Sequence, residues 1–345
     1  MKILIGLSGG LDSTYAAYLL KQEGHDVIGA SVIMHKHTDT KAAKEAAEII
    51  GIPYVEINKS ADFDSIVVKN FIDEYCNGRT PNPCVICNRY VKFDALCEYA
   101  NENGFDCVST GHYSSIEKEN DRYFIRKADD AEKDQSYVLW RLSQSQLSML
   151  YLPLSGMKKQ EIKEKARCLG FSAADAPESQ ENCFIPDNDY VSFIKNNSDK
   201  IFPEGNFIDK NGVKLGKHKG LINYTVGQRK GLGVSFGEPM FVASLNPFEN
   251  SITLVRSGEE YFSSMTVNEL NFMKLSPDHN LKTMSATVKV RYSAQPINCE
   301  ITFEEESVAV AFEMPQRAVT PGQSAVFYHN NDVLFGGIIT SSKLK

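Results

Sequence analysis

The sequence predicts an α/β protein, with a parallel-sheet domain followed by a small β-rich module and a C-terminal β-barrel. Three observations carry that expectation. Short apolar runs alternate with helical stretches through the first half, a glycine loop follows the first run, and helical periodicity nearly vanishes beyond about residue 197. Strands alternating with helices imply parallel β-α-β units whose sheet is covered on both faces.

Each element follows from its residues. Lys2 to Leu7 is the first strand-like run, and the stretch after the glycines places Tyr15, Tyr18, Leu19 and Leu20 at helical spacing. Val27 to Met34 is the next strand, Thr40 to Ile50 an Ala-rich helix, and Pro53 to Ile57 a third strand. Ala61 to Tyr75 puts Phe63, Ile66, Val67, Phe71 and Ile72 on one helical face. Tyr90 to Asn103 reads as helix, and Cys107 to Thr110 as a strand running into Gly111-His112-Tyr113. Further on, Lys210-Asn211-Gly212 is a hairpin turn signal, and Asn246 to Asn250 separates two β-rich runs. Thr287 to Tyr292, Cys299 to Phe303, Val308 to Phe312 and Ala325 to Tyr328 are short strands spaced by turn residues, the pattern of a small module and a barrel. The expected divisions are 1–196, 197–258 and 259–345.

Composition narrows the function classes. The chain has 345 residues, 42% of them hydrophobic and 23% charged, as globular proteins do. Nothing approaches 18 consecutive apolar residues, so no transmembrane helix and no membrane partner are expected. The apolar run at the N-terminus is too short for a signal peptide, which predicts a cytoplasmic protein. A net charge of −7 argues against a nonspecific nucleic-acid coat but leaves room for a local basic face.

Ser8-Gly9-Gly10-Leu11-Asp12-Ser13 sits between the first strand and the first helix. Two glycines allow a tight turn and close approach of a ligand, and successive N–H groups at a helix N-terminus make an anion site. The loop is not a Walker A sequence, because no Gly-Lys-Ser/Thr follows, and it lacks the third glycine of the dinucleotide fingerprint. A pyrophosphate cradle at the C-terminal edge of a parallel sheet is the functional reading; a plain strand-to-helix turn is the bland one.

Eight cysteines in a chain of this length do not describe a disulfide scaffold. Cys97, Cys107 and Cys168 fall within regular patterns beside apolar neighbours and read as small buried hydrophobes. Cys84 and Cys87 form a C-x-x-C in the Pro-rich segment Thr80-Pro81-Asn82-Pro83-Cys84-Val85-Ile86-Cys87, and Cys183 follows Ser179-Gln180-Glu181-Asn182 in a polar loop. Half of a zinc site, a thioredoxin-like pair and a nucleophilic pair activated by Arg89 and Lys92 all remain open here.

Seven segments occur together in one order: Ser8 to Ser13, Thr80 to Pro83 with Cys87 and Asn88, Thr110 to Tyr113, Lys133 to Tyr137, Cys183-Phe184-Ile185, Thr225 to Gly233 and Thr320 to Ala325. The glycine loop resembles that of the N-type ATP pyrophosphatases, and the whole set resembles the tRNA-specific 2-thiouridylases over nearly the entire chain. The resemblance implies an ATP-pyrophosphatase domain of adenine nucleotide alpha hydrolase-like type over 1–196. It implies an ATP site at Gly6, Leu7, Ser8, Gly9, Gly10, Leu11, Asp12, Ser13 and Gly111, with Mg²⁺ on the phosphates. Asn82, Pro83 and Cys84 would lie against the target uridine of the anticodon, and His112, Lys133, Asp134, Gln135, Arg291, Tyr292 and Gln323 would touch tRNA. Cys183 would carry sulfur as a persulfide, and Cys87 would be the second catalytic cysteine.

The implied chemistry is coherent. Adenylation of the uridine C2 oxygen turns a poor leaving group into AMP, with release of pyrophosphate, and sulfur then attacks C2. In most of the family an Asp stands where this chain has Cys84, so a carboxylate role is lost there. Three thiols could instead hold a [4Fe–4S] cluster with an exchangeable fourth position. The sulfur donor would then be free sulfide rather than a persulfide carrier protein. Residues 209 to 231 hold six basic residues against Asp209 alone, and Lys158 to Arg167 is a second basic segment; both are expected to meet phosphates. The competing readings are another adenylating thiolase or ligase and an RNA-binding module with a dead nucleotide site.

Overall fold

A computed structural model describes residues 1–175, 182–234 and 237–345. Five parallel strands form the first sheet: β1 (Lys2–Gly6), β2 (Asp26–Ile33), β3 (Tyr54–Asn58), β4 (Cys107–Thr110) and, after a hairpin, β7 (Leu150–Tyr151). Their order is β3-β2-β1-β4-β7, so the chain winds one way from β1 and resumes on its other side at β4. The point between β1 and β4 is where ligands of such sheets bind, outside the strands' carboxyl ends. Helices α1 (Leu11–Gln22) and α2 (Thr40–Ile50) cover one face around Ile3, Ile5 and Leu7. The helix Phe93–Glu102 covers the other, packing Leu96 and Ala100 on Leu4 and Val108.

Two helical runs depart from regular α geometry. Residues 60–76 are helical throughout but widen to π geometry at Phe63–Val68, and residues 83–102 do so at Asn88–Lys92, directly after Cys87. Such widenings re-aim side chains and often accompany functional sites.

The predicted small module is a four-stranded sheet of β8 (Gly205–Ile208), β9 (Lys214–His218), β10 (Met240–Asn246) and β11 (Ser251–Arg256). The predicted barrel closes through β12 (Tyr261–Phe272), β13 (Thr283–Lys289), β14 (Ile297–Phe303), β15 (Val308–Arg317), β16 (Ser324–His329) and β17 (Asp332–Leu344). Strand β12 pairs with both β15 and β17, so no edge is left between them. Neither β12 nor β17 stood out in the sequence; both are long and bulged, which breaks the alternation a strand is recognised by.

The hairpin β5 (Ser114–Glu119) and β6 (Arg122–Lys127) was also not foreseen. It belongs by sequence to the first domain, yet β6 pairs with β17 through Arg126 and Asp332 and so extends the barrel's sheet. Arg126 and Lys274 both bind the Asp332 carboxylate there, at 2.6 and 2.7 Å. The single tryptophan, Trp140, is fully buried against Gly336 of β17, where a Cβ would come within 2.5 Å of its ring. A core of Val85, Phe93, Tyr137 and Trp140 with Val326, Tyr328 and Val333 thus welds the first domain to the barrel. The expectation of three buried cysteines is corrected: Cys97 is buried, but Cys107 is half-buried and Cys168 is exposed at the end of the helix Lys159–Cys168.

Candidate active site

A cavity of about 510 Å³ opens at the switch point between β1 and β4. Its walls include Gly6, Leu7, Ser8, Asp12 and Ser13 from the glycine loop and Gly111, His112 and Gln135 from later segments. Lys92 and Cys183 line the same space.

The loop's shape is fixed locally. Gly9 has φ of +76°, and a Cβ there would lie 2.6 Å from Ala42 of α2. Gly10 is the N-cap of α1, and no side chain caps that end. The helix therefore begins with N–H groups facing a cavity, the requirement for holding phosphate. Ser13 Oγ accepts from the Ser8 N–H at 3.1 Å and donates to the Gly10 carbonyl at 3.1 Å, which ties the loop to the first turn. Asp12 Oδ1 accepts from Tyr113 Oη at 2.7 Å and from Lys159 Nζ at 2.6 Å. The ammonium of Lys159, from the basic segment expected to meet RNA, is thus directed at Asp12. Leu11 is buried in the core below.

Gly111 lines the cavity and also lies flat on α1, where its Cβ would meet Asp12 C and Ser13 N at 2.6 Å. His112 bonds Thr110 Oγ1 at 2.7 Å through Nδ1. Burial, aided by Lys92, pulls its pKa down to about 3, so the ring is neutral.

The three candidate thiols stand near one another, and of the three Cys183 lines the cavity. Pro83 starts the helix Pro83–Cys87, where its missing N–H costs nothing. Cys84 and Cys183 are exposed, and Cys87 is buried with its Sγ 3.3 Å from Met34 Sδ. Phe184 plugs into Phe63, Phe71 and Phe193 at ring separations of 5.3 to 5.5 Å, which anchors the residue beside Cys183. The preceding Ser179, Gln180 and Glu181 lie outside the described residues.

Desolvation raises all three thiols; Cys87 is pushed up to about 12. Cys84 and Cys183 reach water, yet dense protein walls on most sides still disfavour their anions. Lys92 opposes the rise at each sulfur, and its Nζ is held by Asn88 Oδ1 at 3.1 Å. Arg89, the other expected activator, turns instead to Asp94 at 3.3 Å.

His35 was missed by the sequence reading. It follows β2, and its Nε2 lies 3.3 Å from Cys183 Sγ. Its Nδ1 accepts from the His37 N–H at 3.3 Å, so in the neutral ring the proton sits on Nε2 and points at sulfur. Burial first, then His37, lowers the His35 pKa, with Asp64 opposing, which favours that neutral form. The signal that could have found it is position: like Gly6 and Thr110, it stands at the carboxyl end of a parallel strand.

Several of the remaining expected residues sit toward the barrel. Asn82 hydrogen-bonds Tyr137, whose Oη donates to the Ser324 carbonyl at 2.9 Å. Asp134 is buried and accepts from Ser136 N–H and Oγ at 3.1 and 2.8 Å. Lys133 follows on the same turn, its N–H on the Asp130 carbonyl. Gln135 Oε1 accepts from the Tyr113 N–H at 3.0 Å. Arg291 donates to Val226 O and Thr320 Oγ1 at 3.1 and 2.7 Å, joining small module to barrel. Tyr292 is half-exposed 6.1 Å from the Tyr137 ring, with Lys289 over its face. Gln323 donates to the Thr80 and Pro81 carbonyls. In the basic hairpin Lys210 and Lys217 pair with Glu259 and Glu204.

Comparisons with known proteins agree with this architecture. The family described as tRNA methyl transferase HUP domain matches residues 1–187, the tRNA methyl transferase PRC-barrel domain 192–256, and the aminomethyltransferase beta-barrel domain 262–339. The chain is 42% identical to tRNA-specific 2-thiouridylase MnmA 1 of Clostridium botulinum (strain Loch Maree / Type A3), over 98% of this chain and 99% of that one. It is 42% identical to tRNA-specific 2-thiouridylase MnmA of Clostridium kluyveri, covering 99% of each, and 41% identical to that of Clostridioides difficile (strain 630), covering 99% and 98%. With a glycine-loop cavity, a flanking set of thiols and these relatives along its whole length, the chain belongs to the tRNA-specific 2-thiouridylase family.

Proposed function

We propose that the protein converts a tRNA uridine to 2-thiouridine by ATP-dependent chemistry. The observation that carries the reading is that one cavity holds both an uncapped helix N-terminus behind a glycine loop and the sulfur of Cys183. ATP phosphates fit the α1 N-terminus, and Mg²⁺ would ride on them beside the wall carboxylates of Asp12 and Asp39. The wobble uridine, extruded from the anticodon stack, would enter from the Asn82–Cys84 side.

The uridine C2 oxygen attacks the α-phosphorus of ATP, and pyrophosphate leaves. The terminal sulfur of a Cys183 persulfide then attacks C2 and expels AMP, leaving uridine C2 joined through two sulfurs to Cys183. The Cys87 thiolate attacks the inner sulfur, which breaks the S–S bond and releases 2-thiouridine. A Cys87–Cys183 disulfide remains, and a thiol reductant supplies two electrons to reopen it. Lys92 stabilises the anionic sulfurs, and the His35 Nε2–H serves Cys183 alone of the three.

A [4Fe–4S] cluster on Cys84, Cys87 and Cys183 is the competing reading: among the described residues no three His, Cys, Asp or Glu side chains stand close enough to share a single metal ion, but each cysteine of such a cluster binds a different iron, and these three thiols are near enough to act on one another electrostatically. The test is an anaerobic incubation with ATP, Mg²⁺ and unmodified tRNA, with sulfide and a persulfide donor supplied separately. Nucleoside mass spectrometry should find 2-thiouridine with the persulfide. Thiolation from sulfide alone, with iron and visible absorption, would overturn the relay; pyrophosphate release without thiolation would overturn the substrate.

A further inference from the structure

The segment that leads into Cys84 is held from outside its own domain at Gly78, Thr80 and Pro81. Gly78 packs on Leu245 of the small module, 3.2 Å from where its Cβ would be. The Thr80 N–H donates to the Pro321 carbonyl at 2.9 Å, and Thr80 Oγ1 lies 3.5 Å from Thr225 Oγ1. Gln323 Nε2 donates to the carbonyls of Thr80 and Pro81 at 2.9 and 3.1 Å. That accounts for both of its N–H bonds.

The barrel loop 320–323 is itself rigidly placed. Gly322 has φ of +92°, and its N–H donates to the Ile339 carbonyl at 2.8 Å. A Cβ on Gly322 would stand 2.8 Å from Thr80 N and 2.9 Å from Thr80 O, so the two backbones touch with no room for a side chain. Thr320, at the loop's start, is pinned by Arg291. Only Asn82, itself hydrogen-bonded to Tyr137, separates the clasped residues from Pro83 and the cysteine helix.

We propose that loop 320–323 is a positioning element for the cysteine helix, and that Gln323 acts through the Thr80 and Pro81 carbonyls and not by contacting RNA. The barrel thereby sets where Cys84 and Cys87 stand relative to Cys183, although no barrel residue lines the cavity. Three hydrogen bonds and one close backbone contact offset the entropy lost in fixing the Pro-rich loop.

The inference rests on the thiolation reading for its kinetic readout but not for its structural one. Q323M keeps the side chain's length and removes both donors; G322A forces the two loops apart. Both variants are made in the full chain. Hydrogen exchange of the peptide spanning residues 79–87 should accelerate about tenfold in each, and kcat should fall about tenfold, with the KM for tRNA and its Kd changed by less than about twofold. The opposite split, a tRNA Kd weakened about tenfold with unchanged exchange and kcat, would make Gln323 an RNA contact and overturn the proposal. If the wild-type protein forms no 2-thiouridine, the functional reading fails, and the exchange comparison still decides this one.

Discussion

Gly111→Ala is the substitution whose cost can be worked most directly. The residue has no unusual φ, so alanine brings no intrinsic backbone strain; the obstacle is steric. The new Cβ would lie 2.6 Å from Asp12 C and Ser13 N, both backbone atoms of the first turn of α1. Ordinary contact begins near 3.4 Å, so strand end and helix must separate by about 0.8 Å. No rotamer change can relieve this, and α1 is pinned below by Ala16, Ala17 and Leu20, all fully buried. Overpacking of this kind costs about 1–3 kcal/mol, which for the first domain lowers Tm by about 5 °C. The displaced turn carries Asp12, Ser13 and the N–H groups facing the cavity, and a shift near 1 Å costs roughly a hundredfold in rate. Thermal melting and tRNA-dependent pyrophosphate release at varied ATP are the assays. Gly10→Ala is the control: its Cβ meets only Ser8 Oγ at 3.4 Å, and its φ of −74° suits any residue. It should melt as wild type while ATP use falls, because the methyl group occupies space beside the uncapped helix end. A Gly111→Ala protein with wild-type melting and ATP use would refute the steric argument.

Three further outcomes are expected. His35→Ala should slow alkylation of Cys183 about tenfold at pH 7.5 by removing its N–H donor, and His35→Gln should restore part of it. Equal Cys183 rates in all three proteins, followed by mass spectrometry, would dismiss the pair. Lys92→Met removes the cation acting on all three thiols and should slow alkylation of Cys84 and Cys183 together by several-fold; a loss at one cysteine only would contradict the shared role. His112, at about 3, stays neutral in the fold, and burial also lowers the fully buried His218, whereas unfolded histidines titrate near 6.5. The unfolded chain therefore takes up protons first, so their stabilisation is complete above about pH 6.5 and drains as pH falls below it. Melting from pH 7 to 4 should decline, and less steeply in His112→Gln and His218→Gln; an unchanged slope in both would count against the linkage.

Much of the site was legible locally. Strand alternation located the sheet, and Gly9 and Gly10 between a strand and a helix announced a tight turn onto an open helix N-terminus, because these are properties of a few adjacent residues. The β-rich character beyond residue 197 was equally plain from turn residues and alternation. Cys84, Cys87 and Cys183 stood out because polar and Pro-rich surroundings set them apart from cysteines in apolar runs.

What stayed hidden depended on contacts between distant segments. Long bulged strands such as β12 lose the period-2 pattern, and the pairing of β6 with β17 leaves no mark in either segment alone. Lys92 and Arg89 are three residues apart and alike in charge, yet only Lys92 works on the thiols, because the π turn at Asn88–Lys92 and the Asp94 carboxylate aim them differently. His35 meets Cys183 across 148 residues, and Gln323 reaches Thr80 across 243. Propensity and spacing are short-range quantities, so they could single out candidate side chains. Which neighbour tunes each one, and which distant loop holds it in place, was decided by how the sheet, the small module and the barrel pack together.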